Sequence, residues 1–171
     1  IIVPFPVGSD LSGFDHVLQP NEILTMRRSF HNPITDTTER VRIHFGAVDW
    51  ACTVLVNGIL VGTHAGGFDP FFFDITDALI EEVEQEIIVS VTDPTDTGNQ
   101  PVGKQTLNPF AIQYTAVAGI WQTVWLEPVP VSCIERSTTV TNIAESSVSV
   151  RSHISNASDT MSVIFTCSVN G

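Results

Sequence analysis

The chain has 171 residues, room for one good-sized domain or for one domain and part of another, and can bury about two-thirds of its unfolded surface without a disulfide or metal staple. Hydrophobic residues are 43% and charged residues only 15%, with a mean hydropathy of +0.21, which excludes a disordered chain and argues against a free-standing helical bundle. Seven Lys and Arg against nineteen Asp and Glu give a net charge of −12, so neither a nucleic-acid backbone nor an acidic membrane surface is an expected partner.

The opening Ile1-Ile2-Val3-Pro4-Phe5-Pro6-Val7 is apolar, but it has no basic flank and carries two prolines, unlike a signal peptide. It also has no initiator Met, which implies a piece cut from a longer chain. Nowhere does a run approach the roughly 18 apolar residues that span a bilayer. Strands are expected at 22–30, 40–45 and 52–56, and again at 59–64. Asn57-Gly58 joins the last two and is a strong hairpin signal, because a type I′ turn needs two residues at positive φ. Residues 71–75 form a further strand, and 76–80 a single helical turn capped by Thr76 or Asp77. A strand at 86–92 leads into a long polar loop, 93–114, rich in Pro, Gly, Asn, Gln and Thr.

Residues 120–127 read as one strand, with Trp121 and Trp125 on one face and Ile120, Val124 and Leu126 on the other. Two apolar faces imply an internal strand. Pro128-Val129-Pro130 reads as a linker. Many strands, one helical turn and no βαβ rhythm predict an all-β protein, an antiparallel jelly-roll β-sandwich. Composition shifts after Pro130 towards Ser, Thr and Val, with expected strands at 133–141, 147–154 and 161–169. An immunoglobulin-like sandwich needs about seven strands. Residues 131–171 are therefore expected to be the first strands of an incomplete domain, whose open edges are a place for two copies to pair.

Few residues carry chemistry. Cys52, Cys133 and Cys167 form no C-x-x-C pattern and are expected as buried, reduced thiols. His16, His31, His44, His64 and His153 are scattered without metal-ligand spacing, so no metal is expected. Asp69-Pro70 and Asp93-Pro94-Thr95-Asp96 have the form of turns in which a carboxylate caps backbone N–H groups. Asp69, Asp74, Asp77, Asp93 and Asp96 are also the acids available to a paired-carboxylate or Ca²⁺ site, but they fit no named arrangement. Trp50, Trp121, Trp125, Tyr114 and Phe68 are either packing residues or faces for stacking on a sugar. Asn156-Ala157-Ser158 is a glycosylation sequon that matters only in a eukaryotic secretory protein, and the compartment is left open.

Several stretches, read in order, resemble the N-terminal sugar-binding domain of glycoside hydrolase family 2, the family of β-galactosidases, β-glucuronidases and β-mannosidases. They are Val3-Pro4-Phe5-Pro6, Arg27-Arg28-Ser29-Phe30 and Phe45-Gly46-Ala47-Val48-Asp49-Trp50, then Val54-Leu55-Val56-Asn57-Gly58 and Val61-Gly62-Thr63-His64. Gly66-Gly67-Phe68-Asp69-Pro70-Phe71, Phe73-Asp74-Ile75-Thr76 and Gly119-Ile120-Trp121 through Leu126 complete the series. The resemblance implies a galactose-binding-domain-like jelly roll over 1–130, followed by the start of an immunoglobulin-like domain over 131–171. It implies a parent that is a retaining glycosidase of β-glycosides, with both catalytic glutamates on a TIM barrel outside this chain. No catalytic residue and no cofactor is expected here. Asn21-Glu22 matches the Asn-Glu of the family's acid/base, but it precedes the first long strand of the wrong domain and is a coincidence. In several members an acidic residue from the loop before the Gly-Ile strand contacts sugar hydroxyls; Gln113 holds that place here. Asn99, Gln100, Lys104, Gln105, Gln113 and Tyr114 are therefore the candidate sugar contacts, since amides both donate to and accept from hydroxyls.

Overall fold

The computed structural model describes residues 1–34, 36 and 38–168. They fall into two compact units, Ile1–Pro128 and Val129–Gly171. The first contains β1 (Leu24–His31), β2 (Glu39–Phe45), β3 (Val48–Asp49), β4 (Ala51–Val56), β5 (Ile59–Ala65), β6 (Phe71–Asp74) and β7 (Glu84–Thr92). Three two-residue strands follow, β8 (Gln105–Thr106), β9 (Tyr114–Thr115) and β10 (Gly119–Ile120), and then β11 (Val124–Pro130), whose last two residues belong to the second unit. One main sheet has the order β1-β7-β4-β5 and the other β11-β2-β6. No helix among the described residues is long and apolar enough to cross a membrane.

Period-two alternation builds the sandwich. Val41, Ile43 and Phe45 of β2, Cys52, Val54 and Val56 of β4, and Ile87, Val89 and Val91 of β7 all point into one buried cluster. Each such side chain, fully buried, stabilises the fold by roughly 1.5–3 kcal/mol. Gly62 of β5 has no side chain because the Phe73 ring of β6 lies against it, which lets the two layers meet at that end. On the other face of β2, the His44 ring stacks 4.7 Å from Trp125, and its Nε2 sits 2.8 Å from the Glu127 carboxylate. Arg40 bonds Asp74 at 2.5 Å. Burial would raise the Asp74 carboxyl, but the bonds from Arg40 and Thr76 outweigh it and hold it below the usual range.

Asn57 and Gly58 have φ of 50° and 79°, the positive pair that a type I′ turn demands. The Asn57 amide also donates to the Ala78 carbonyl (2.8 Å) and to Gln85 Oε1 (2.7 Å), while its Oδ1 accepts from the Glu86 N–H (2.9 Å). Gln85 is 1% exposed and fully used: its Oε1 also accepts from the Ile80 N–H, and its amide donates to the Ile80 and Glu82 carbonyls.

Several expectations are corrected. The strand foreseen at 120–127 is broken, because β10 pairs with β3 whereas β11 joins the sheet of β2, and residues 121–123 carry the chain between them. β11 is an edge strand and not an internal one, and Trp125 is 45% exposed. Pro128 and Pro130 belong to β11 instead of forming a linker, since an edge strand tolerates prolines. The helical turn is only Thr76–Ala78, with Ile75 at its N-cap position and no side-chain cap from Thr76 or Asp77; instead Asp74 Oδ1 accepts from the Thr76 N–H (3.0 Å) and hydroxyl (2.6 Å) just before it. Of the cysteines, all unbridged, only Cys52 is buried, and burial pushes its thiol up to about 11; Cys167 is exposed.

In the second unit β12 (Ile134–Asn142) and β13 (Ser147–Ile154) form one antiparallel hairpin. All nine residues of β12 are exposed. Among the described residues, 161–168 form no strand, and Val169, the last residue of that expected strand, lies outside the described residues.

Candidate functional site: the loop from Asp93 to Ala118

The loop leaves β7 at Asp93, which is buried. Its Oδ1 accepts from the Thr95 N–H at 2.8 Å, the Asx turn expected of Asp-Pro-Thr-Asp. Asp96 then reaches along the loop, accepting from the Thr106 hydroxyl (2.5 Å) and the Leu107 N–H (3.1 Å). Those two bonds, Thr106 first, hold its carboxyl below the usual range. The centre of the loop is a two-residue parallel clip, β8 against β9, with Gln105 opposite Tyr114 and Thr106 opposite Thr115. The Tyr114 N–H donates to the Lys104 carbonyl at 2.8 Å, and Lys104 Nζ lies 5.7 Å from the centre of the Tyr114 ring.

Beneath the clip the loop is tied to the sandwich through Gln105. Its Oε1 accepts from the Val117 N–H at 2.8 Å, and its side chain also hydrogen-bonds the Asp49 carboxylate. Asp49 sits at the end of β3, where β3 meets β10, and the Asp49–Trp50 peptide is cis. Burial, and then the charge of Asp93, push the Asp49 carboxyl up to about 6, with Gln105 offsetting part of the rise. Burial likewise raises Asp93, with the Thr95 N–H opposing it. Nearby, the Trp121 indole N–H donates to the Gly67 carbonyl at 2.7 Å and Phe68 meets the Trp121 ring edge-on at 6.0 Å. Trp121 is thus half-buried in a local aromatic contact.

The six candidates divide. Lys104, Gln105 and Tyr114 are brought together by the clip, and Gln113 adjoins it. Gln113 is exposed, with its Oε1 accepting from the Phe110 N–H at 3.1 Å. Gln100 points back into the turn, its amide donating to the Thr95 carbonyl at 2.6 Å, and exposed Asn99 lies beside it. Two residues escaped the sequence reading: Phe110 and Ile112 are 81% and 74% exposed, next to Tyr114 at 63%. Large apolar residues in a polar loop were the available signal. Among the described residues no group of His, Cys, Asp and Glu is arranged to hold a metal ion.

These features define a β-sandwich domain carrying one long loop, fixed underneath and exposed above. The chain belongs to the galactose-binding domain-like family of glycosyl hydrolase 2, which matches residues 18–122. A beta-galactosidase of Thermoanaerobacter pseudethanolicus (strain ATCC 33223 / 39E) is 36% identical over 90 residues, 52% of this chain and 11% of that protein. Among solved structures, an FMN-binding beta-glucuronidase from Facaelibacterium prausnitzii L2-6 is similar over 93% of this chain and 25% of its own, at 23% identity and a TM-score of 0.69. A Bifidobacterium dentium beta-glucuronidase complexed with coumarin-3-O-glucuronide is similar over 83% of this chain and 26% of its own, at 24% identity and a TM-score of 0.64. At those identities the structural likeness speaks for the fold. The chain spans about a quarter or less of the length of these relatives.

Proposed function

We propose that the first unit is a non-catalytic domain of a retaining glycoside hydrolase and that its loop builds the rim of a cleft for a β-glycoside. The catalytic glutamates then lie on a TIM barrel elsewhere in the parent chain, the partner of this domain in cis. The observation that carries the reading is the clip: it presents Lys104, Gln113 and Tyr114 to solvent from a base fixed through Gln105. The Gln113 amide keeps its N–H donors for a sugar hydroxyl, Lys104 adds a cation, and the Tyr114 ring offers a face to sugar C–H groups. Gln105 and Gln100 spend their side chains on the protein, so their part is to position the loop. Exposed Phe110 and Ile112 serve to dock the loop against the barrel.

The test is made on the parent enzyme with a panel of nitrophenyl β-glycosides. Gln113→Ala and Tyr114→Ala each lower kcat/KM about fivefold to tenfold, the loss of one modest contact. Unchanged kcat/KM in both would make the domain a spacer. Saturable NMR shifts on the loop of chain 1–171, with a Kd below about 1 mM, would make it an autonomous carbohydrate-binding module instead. Hydrolysis by chain 1–171 itself would overturn the non-catalytic assignment.

For the second unit we propose the opening of an immunoglobulin-like sandwich. Among the described residues of this unit β12 is exposed along its length and pairs with β13 alone, and a lone hairpin is marginal in water. Its open edges are also where two copies of the isolated chain pair, a dimer that sedimentation would detect or exclude.

A further inference from the structure

Residues 66–70 form a short turn between β5 and β6, and its backbone is held from several directions. The Gly66 N–H donates to the Trp50 carbonyl at 3.2 Å, and the Gly66 carbonyl accepts from His64 Nε2 at 3.2 Å. His64 is itself fixed by stacking on Phe71, with ring centres 3.9 Å apart. The Gly67 carbonyl accepts from the Trp121 indole N–H at 2.7 Å. Gly66 has a φ of 143°, and a Cβ on Gly67 would lie 2.5 Å from Asp49 Oδ1, so both positions call for glycine.

These bonds fix the turn through its backbone, without the ring of the residue it carries. Phe68 is 57% exposed, with the Trp121 ring edge-on behind it at 6.0 Å. Leaving so large an apolar side chain in water costs free energy, and such exposure marks a contact surface. Its position says which one. Gly67 abuts the Asp49 carboxylate, and Gln105 hydrogen-bonds that same carboxylate from the loop that carries the clip. Phe68 and the clip therefore rise from one post, at one end of the sandwich.

We propose, on the reading that the clip builds the rim of a β-glycoside cleft, that Phe68 is a specificity residue for the aglycone, an apolar ring on the leaving-group side of the glycosidic bond. The two parts of this end differ in chemistry. Gln113 and Lys104 bring donors suited to sugar hydroxyls, whereas the Phe68 ring has neither donor nor acceptor. The group it favours is one without hydroxyls to strip of water. An aromatic aglycone packs against it edge-on or offset, as Trp121 does from behind. Because the turn is already fixed, little ordering is lost when the contact forms.

Calorimetry on the parent enzyme with phenyl and methyl 1-thio-β-glycosides, which resist hydrolysis, tests the assignment. The sugar is the one whose nitrophenyl β-glycoside the parent cleaves fastest. Phe68→Ala weakens binding of the phenyl glycoside about fivefold and of the methyl glycoside less than about twofold. Phe68→Tyr keeps the ring and with it the preference for phenyl, whereas Gln113→Ala weakens both glycosides alike. An equal loss for both glycosides in Phe68→Ala would put the ring on the sugar or against the barrel and overturn the assignment. No loss for either, while Gln113→Ala weakens both, would overturn it and leave the rim standing. No effect of Phe68→Ala, Gln113→Ala or Tyr114→Ala would remove the rim and the aglycone contact together.

Discussion

Val54 and Val56 in β4 and Val148 and Val150 in β13 sit in the same kind of alternating strand, yet the first pair is fully buried and the second exposed. The difference lies in what faces them. β4 has a neighbour on each side and a second sheet across the core, whereas among the described residues β13 pairs with β12 alone. Alternation therefore specifies a face, and only a partner layer turns that face into a core. The largest expected effect follows directly. Phe45→Ala removes a fully buried ring and lowers the stability of the first unit by about 3–5 kcal/mol in urea unfolding. Val150→Ala in the same chain changes stability by less than about 0.5 kcal/mol. A Val150→Ala cost above that in the parent would mean that a layer covers the hairpin there.

The contrast sharpens for polar groups. Gln85 is as buried as the core valines, and it is held by hydrogen bonds to Asn57, Ile80 and Glu82. Gln85→Ala strands the Asn57 amide and the Ile80 N–H, and the expected loss is about 1–3 kcal/mol. An unchanged urea midpoint would show that water replaces the side chain at no cost.

How much of this was legible in the sequence depended on how local the cause was. Asn57-Gly58 dictated its turn from two residues, and the alternation in β2, β4 and β7 dictated their buried faces. Gln85 could not be read in this way, because its burial depends on Asn57, 28 residues away across the turn. The break at 121–123 was hidden because Ile120 and Val124 belong to different sheets, a fact of topology and not of propensity. In the loop, composition marked the amides, but only the clip distinguishes Gln105, held by Val117 and Asp49, from exposed Gln113.

The base of that loop supplies a smaller effect, through pH. The folded chain pushes Asp49 up to about 6, so between its ordinary value near 4 and that value the folded state holds a proton that the unfolded chain has released. Its contribution is therefore greatest in acid and is lost as pH rises through about 6. Asp93, also raised, acts in the same direction. Asp74 and Asp96, both held low, act in the opposite direction, and only below about pH 4. Asp49→Asn flattens the fall in unfolding free energy between about pH 4 and 6. An identical slope in the variant would mean that Asp49 is not the group responsible.

Above that base, the expected effect on stability is the smallest. Gln113 and Tyr114 are exposed and fill no part of the core, so Gln113→Ala and Tyr114→Ala shift stability by less than about 0.5 kcal/mol. Gln105→Ala, only a few residues away, removes the acceptor of the Val117 N–H and the partner of Asp49, at a cost of about 1 kcal/mol. Urea unfolding of the three variants separates a loop whose tip is free for a ligand from one whose tip holds the fold. A Tyr114→Ala loss as large as that of Gln105→Ala would move Tyr114 from the rim to the scaffold, because a residue kept for a ligand has no stability to give up in its absence.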